Sequence, residues 1–188
     1  MIDFRISSYP RSGYNFLVHN LDQAMPMHFG TIEYQHELLN SDYQGMYVVV
    51  IRPPLETIRS EYVMNLHLNA YPEHHIPQKQ IDVKLAHYIL FYKSILKGKK
   101  KTIIDFSDLS FNPLNTVNYV LKTLGSNVVQ GDVKVYSDRE NNPHIPSSSI
   151  HKDYLMYDEL ILNSHEYETA LECYKEVLMH KSAIDAPL

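Results

Sequence analysis

Residues that could bind an anion lie together near the start of the chain, in the tetrapeptide PRSG at residues 10–13. It stands between a short run with strand character and a run with helical spacing. A helix N-terminus offers backbone N–H groups and partial positive charge, and Gly13 allows a ligand to approach the backbone closely. Ser12 and Asn15 add side-chain donors, and the planar Arg11 guanidinium suits phosphate or sulfate. We therefore predict a phosphate-binding strand–loop–helix.

This loop differs from the nucleoside-triphosphate loop GxxxxGK[ST], whose Ser or Thr holds Mg²⁺, because the chain has no GK[ST] sequence. A plainer interpretation also exists for the loop taken alone. In that interpretation Ser12 caps a helix and Arg11 is an exposed charge without a ligand.

The elements that must position these residues alternate between strand and helix. A continuous β-branched run, MYVVVIR at residues 46–52, is typical of a strand covered on both faces. Strands are also predicted at residues 3–9, 30–37 and 101–106, and helices at residues 13–25, 55–66, 80–101 and 112–125, with a mainly helical C-terminal part at residues 154–181. This order predicts an α/β sandwich with a mostly parallel sheet.

Composition limits the classes of function. The 188 residues suit one domain, residues 1–188, and the net charge of −5 argues against nucleic acid or an anionic membrane as a partner. Cys173 is the only cysteine, which excludes an intrachain disulfide and a cysteine-based zinc site. The 11 histidines are scattered, and we expect no metal site. Without a signal-peptide pattern or a long apolar run, we expect a soluble cytoplasmic protein.

The stretch SYPRSGYNFL resembles the 5′-phosphosulfate-binding loop of the sulfotransferase family. That motif runs Ser/Thr, aromatic, Pro, Lys/Arg, Ser, Gly, two small polar residues, an aromatic and an aliphatic residue. The matching residues are Ser8, Tyr9, Pro10, Arg11, Ser12, Gly13, Asn15, Phe16 and Leu17. Tyr14 departs from the motif, although its backbone N–H can still serve.

A second motif of the family is a strand that ends in Arg, then a proline turn, then a helix with Ser eight positions after the Arg. Arg52 and Ser60 match it, with Pro53 where the family often has Asn or Asp. In the family these two residues bind the donor's 3′-phosphate. A third, structural resemblance covers the stretch from IIDFSDL to Gly125, so the likeness spans roughly residues 3–125.

The resemblance implies a sulfotransferase that moves a sulfuryl group from 3′-phosphoadenosine-5′-phosphosulfate to a hydroxyl or amine without a metal. It implies a three-layer α/β/α sandwich with a mostly parallel central sheet and a P-loop-like phosphate-binding loop. The implied donor-binding residues are Arg11, Ser12, Gly13, Tyr14, Asn15, Phe16, Arg52 and Ser60. Arg11 would stabilise the bridging oxygen electrostatically, because it does not give up its proton.

The proton acceptor implied by the family is a His or Glu before the Arg strand. His36 is the best-placed candidate, with Glu33 and Glu37 as rivals. The family's late Arg-Lys-Gly segment has no counterpart, and neither Arg139 nor Lys152 is assigned in its place.

The acceptor stays open among a small alcohol, a sugar chain and a peptide. The stretches 65–80 and 137–153 are the expected walls of its site. Two other functions also stay open: a non-catalytic nucleotide-binding member of the same fold, and a small-molecule or nucleotide kinase.

Overall fold

The computed structural model describes residues 4–24, 38–40, 42–67, 78–98, 100–126 and 151–182. The strands are β1 (Phe4–Ser8), β2 (Met46–Ile51) and β3 (Lys101–Asp105). The helices are α1 (Tyr14–Ala24), α2 (Pro54–His67), α3 (Gln78–Lys97), α4 (Phe106–Phe111), α5 (Pro113–Thr123), α6 (His151–Leu162) and α7 (Tyr167–Leu178).

The three described strands form a parallel sheet in the order β1-β2-β3. Ser8 is level with Val50, and Ile51 is level with Asp105, so the carboxyl ends of the strands meet at one edge of the sheet. Each strand is followed by helix, as parallel strands require. The prediction of an α/β fold with a parallel sheet is confirmed.

The side chains of β2 alternate between two apolar clusters, because successive residues of a strand point to opposite faces. Val48 and Val50 join a cluster with residues of α1, α4 and α5. Tyr47, Val49 and Ile51 join the other cluster, with residues of α2, α3, α6 and α7. All five side chains are buried, which explains why the sequence of β2 shows no polar alternation.

The structure corrects boundaries of the sequence analysis. The helix predicted at residues 80–101 runs from Gln78 to Lys97, and Lys101 already belongs to β3. The predicted strand 101–106 ends at Asp105, and the helix α4 follows at once. Asp105 caps this helix by accepting hydrogen bonds from the backbone N–H of Ser107, at 2.7 Å, and from its hydroxyl. The other predicted strand, residues 30–37, lies wholly outside the described residues.

Membrane-spanning character was searched over the described part of the chain. None of the helices found there combines the length and the apolar character that a bilayer crossing requires.

Candidate phosphate-binding site

The candidate site lies at the edge of the sheet where the parallel strands end. Tyr9 follows β1, Arg52 follows β2 and Phe106 follows β3. Because the strands are adjacent and in register, the three segments after them lie side by side. In open α/β sheets, ligands bind in the crevice outside the carboxyl ends of the strands.

The segment from Tyr9 to Gly13, here called the phosphate loop, makes a tight turn into α1. Its turn is closed by a hydrogen bond from the Ser12 N–H to the Tyr9 carbonyl at 3.1 Å. Arg11 has φ +66° and Gly13 has φ +102°. A non-glycine residue at positive φ costs about 1–2 kcal/mol, so surrounding contacts must hold Arg11 in this conformation.

Phe106 packs directly against the phosphate loop. A Cβ atom placed on Gly13 would lie 2.4 Å from the Phe106 Cδ2 atom and 3.4 Å from a Val50 methyl group. No side chain fits there, so both the space and the φ angle require glycine at this position. The Arg52 guanidinium lies over the Phe106 ring, with its carbon 4.4 Å from the ring centroid.

The structure brings Arg11, Arg52 and Ser60 together. The Nε of Arg11 donates to the Ser60 hydroxyl at 3.2 Å, across 49 positions of sequence. Arg52 donates to the Arg11 carbonyl at 3.1 Å, and its Nε donates to the Glu56 carboxylate, also at 3.2 Å. The Arg11 guanidinium therefore lies against the Ser60 hydroxyl, and the Arg52 guanidinium lies against the backbone of Arg11, with the Glu56 carboxylate as its counter-charge. Two cationic groups and a hydroxyl are thus joined between the phosphate loop, the segment after β2 and helix α2.

Two tyrosines of α3 fix the backbone of Arg52. The hydroxyls of Tyr88 and Tyr92 donate to the Arg52 carbonyl at 2.6 and 2.9 Å, and the Tyr92 oxygen accepts from the Arg52 N–H at 2.8 Å. The two rings are stacked with centroids 4.0 Å apart. Burial raises the pKa of both hydroxyls well above the ordinary tyrosine value, so they stay protonated donors.

The other predicted site residues differ in their burial and in the groups that they could offer to a ligand. Ser12 is fully buried, and its N–H is used in the turn. The Tyr14 side chain is 4% exposed and packs in the cluster with α5, which leaves its backbone N–H as the group that could contact an anion. Asn15 is exposed in the first turn of α1. Phe16 belongs to α1, and His36 lies outside the described residues.

Sequence reasoning missed Glu56, Phe106, Tyr88 and Tyr92 as parts of this site. The sequence shows Glu56 four positions after Arg52, just inside the predicted helix. It also shows Tyr92 four positions after Tyr88 on α3. Nothing local marks Phe106, because its role depends on the register of β3 beside β2.

The chain matches no protein-family model and no curated protein. Within the described ranges, no group of three or more His, Cys, Asp or Glu side chains is arranged to hold a metal ion. What the site offers chemically is guanidinium groups, a hydroxyl and the N-terminus of α1, which are groups of the kind that bind phosphate or sulfate in proteins.

Proposed function

We propose that the protein is a sulfotransferase dependent on 3′-phosphoadenosine-5′-phosphosulfate. In this proposal the phosphate loop binds the 5′-phosphosulfate, and Arg52 with Ser60 binds the 3′-phosphate. The fold that goes with it is a three-layer α/β/α sandwich, which is supported by apolar clusters on both faces of the sheet. We propose the cytoplasm as its location, as the sequence analysis expects.

The observation that carries the proposal is the hydrogen bond between Arg11 and Ser60 at 3.2 Å. The two motifs were found independently in the sequence, one for each phosphate of a 3′,5′-bisphosphorylated nucleotide. A single ligand can contact both only if they lie close together. Their side chains are in contact, which supports one shared nucleotide site rather than two unrelated loops.

The reaction needs few groups from the protein. The acceptor oxygen forms a bond to sulfur while the bond between sulfur and the bridging oxygen breaks, and the electron pair stays on the nucleotide phosphate. Arg11 stabilises the negative charge that develops on that bridging oxygen. The hydroxyl proton of the acceptor goes to a base, for which His36 is the proposal from the sequence. Fixed donors and positioning supply the catalysis without a metal.

The test is calorimetric titration of the protein with 3′,5′-adenosine bisphosphate, beside ADP with and without Mg²⁺. We expect metal-independent binding of the bisphosphate and much weaker binding of ADP, because ADP lacks the 3′-phosphate. Binding of ADP only with Mg²⁺ would contradict the proposal and favour a kinase.

A matched pair of variants locates the site. Arg11→Ala is expected to lose both bisphosphate binding and sulfuryl transfer from the radiolabelled donor. Arg59→Ala is the control, because the Arg59 guanidinium is bound to Asp158, on α6, at 2.9 Å. Equal nucleotide affinity in the two variants would remove Arg11 from the site. Nucleotide binding without transfer to any acceptor would leave the non-catalytic alternative.

A further inference from the structure

A carboxylate lies between the two residues that are proposed to bind the 3′-phosphate. Arg52, Glu56 and Ser60 follow one another at intervals of four residues. Glu56 and Ser60 lie one turn apart on the same face of α2, and Arg52, just before this helix, contacts Glu56 directly. A phosphate in contact with both Arg52 and Ser60 would therefore lie beside the Glu56 carboxylate.

The Glu56 carboxylate already accepts a hydrogen bond from Arg52. Its Oε2 atom lies 3.2 Å from the Arg52 Nε, and the Glu56 side chain is 45% exposed. An arginine binds a phosphate best through two parallel N–H groups. While the Nε–H donates to Glu56, the pair made of Nε and a terminal nitrogen is not available to a ligand. An ionised carboxylate only accepts hydrogen bonds, so Glu56 offers no donor to a phosphate and repels its charge.

Contacts other than the one with Glu56 hold Arg52 in place. Its terminal nitrogen donates to the Arg11 carbonyl at 3.1 Å, and its guanidinium carbon lies 4.4 Å from the centroid of the Phe106 ring. Two tyrosine hydroxyls of α3 donate to its backbone carbonyl. Since ion pairs with an exposed partner contribute little to stability, loss of the Glu56 charge should leave the position of Arg52 unchanged. Its effect should appear when an anion binds.

We propose that Glu56 is a specificity-determining residue of the nucleotide site, which competes with the 3′-phosphate for Arg52 and so weakens the binding of 3′-phosphorylated nucleotides. The inference rests on the proposed function, because it takes Arg52 and Ser60 to face a 3′-phosphate. The donor and the product nucleotide both carry this group. A carboxylate that returns to Arg52 therefore favours release of the product nucleotide after transfer.

The experiment is calorimetric titration of the full chain with 3′,5′-adenosine bisphosphate and, separately, with ADP. We expect Glu56→Gln to bind the bisphosphate at least about threefold more tightly than the wild type, because the competing acceptor and its negative charge are removed. The affinity for ADP, which has no 3′-phosphate, should be the same in the variant and the wild type.

Glu168→Gln is the matched control. Glu168 is an exposed acidic residue in the first turn of α7, as Glu56 is an acidic residue in the first turn of α2. Both variants lose one negative charge at a helix N-terminus, where acidic residues favour the helix dipole. If Glu56 only stabilised its helix, neither variant would change nucleotide affinity. We expect Glu168→Gln to bind the bisphosphate as the wild type does.

The outcomes separate this inference from the proposed function. Bisphosphate binding of equal affinity in Glu56→Gln and Glu168→Gln would overturn the inference and leave the proposed function standing. Weaker binding in Glu56→Gln would also contradict it and show that Glu56 positions Arg52 instead. An equal gain in affinity for ADP would show that the 3′-phosphate is not the group that Glu56 repels. If neither the wild type nor Glu56→Gln bound the bisphosphate, the proposed function would fall, and this inference with it.

Discussion

At the scale of single residues, the side chains that matter most are held by more than one contact. Arg52 shows this best: its guanidinium reaches the Arg11 carbonyl and Glu56, while its backbone carbonyl accepts from Tyr88 and Tyr92. A cationic group fixed in this way loses little side-chain freedom when an anion binds. A bound phosphate would have to share the Arg52 guanidinium with the Glu56 carboxylate or displace that carboxylate.

Ser60 provides the residue-scale prediction. We expect Ser60→Ala to weaken 3′,5′-adenosine bisphosphate binding by about 1.5–3 kcal/mol, because a hydrogen bond to a charged group is lost. That loss corresponds to an affinity about tenfold to a hundredfold lower, which calorimetry resolves. Ser110→Ala is the control, since that hydroxyl is bonded to the Phe106 carbonyl within an exposed part of α4. An unchanged affinity in Ser60→Ala would remove Ser60 from the site.

At the scale of elements, contacts between the segments that follow different strands stabilise the edge of the sheet where the site lies. Phe106, at the start of α4, packs on the phosphate loop. Asp105 caps α4, and its other oxygen accepts a hydrogen bond from the Tyr174 hydroxyl at 2.5 Å. The carboxylate thus joins β3, α4 and α7 at one buried point, next to the loop that it supports indirectly.

Gly13 and Gly125 form a matched pair for the element-scale prediction. Both have positive φ, +102° and +73°, but an added Cβ at Gly125 has no neighbour within 4 Å. We expect Gly125→Ala to lower the free energy of unfolding by about 1 kcal/mol, from backbone strain alone. Gly13→Ala should lower it by about 3 kcal/mol or more, because the methyl group also collides with Phe106. Urea unfolding measures both variants, and equal losses would show that Phe106 does not constrain the phosphate loop.

At the scale of the whole molecule, buried tyrosines determine how stability depends on pH. Burial raises the pKa of Tyr9, Tyr88, Tyr92 and Tyr174 above the ordinary value, with neighbouring groups adding to or opposing it. In the unfolded chain these groups ionise at about pH 10, whereas the folded protein keeps them protonated. Their contribution to stability is therefore complete below about pH 10 and is lost as the pH rises above it.

Four such groups predict a steep alkaline transition. Each contributes about 1.4 kcal/mol per pH unit, so the free energy of unfolding should fall by about 5.5 kcal/mol per pH unit once the pH exceeds about 11. Urea unfolding at a series of pH values, combined with tyrosinate absorbance, measures this slope. If the tyrosinate absorbance of the folded protein reached that of all 15 tyrosines, the burial of these four would be contradicted. Tyr92→Phe removes one ionisable group and should make the slope shallower by one quarter.

Many of the strands and helices were predictable, because they depend on residues that are neighbours in the sequence. The apolar run of β2 indicated a strand covered on both faces, and the helical spacing of α3 and α5 indicated amphipathic helices. The short helix α4 was missed, since six residues are too few to show a helical period and its start depends on the Asp105 cap. The strand predicted at residues 30–37 and the base His36 stay predictions.

The chemistry of the site likewise has one part that the sequence predicts and one part that only the tertiary structure determines. The residue types and spacings of the phosphate loop, and the eight positions between Arg52 and Ser60, are local properties and could be read from the chain alone. The contact of Arg11 with Ser60, the packing of Phe106 on Gly13 and the two tyrosines that hold Arg52 could not. These contacts join residues 36 to 93 positions apart, and such pairs meet only after the strands have paired in register and the helices have packed on the sheet.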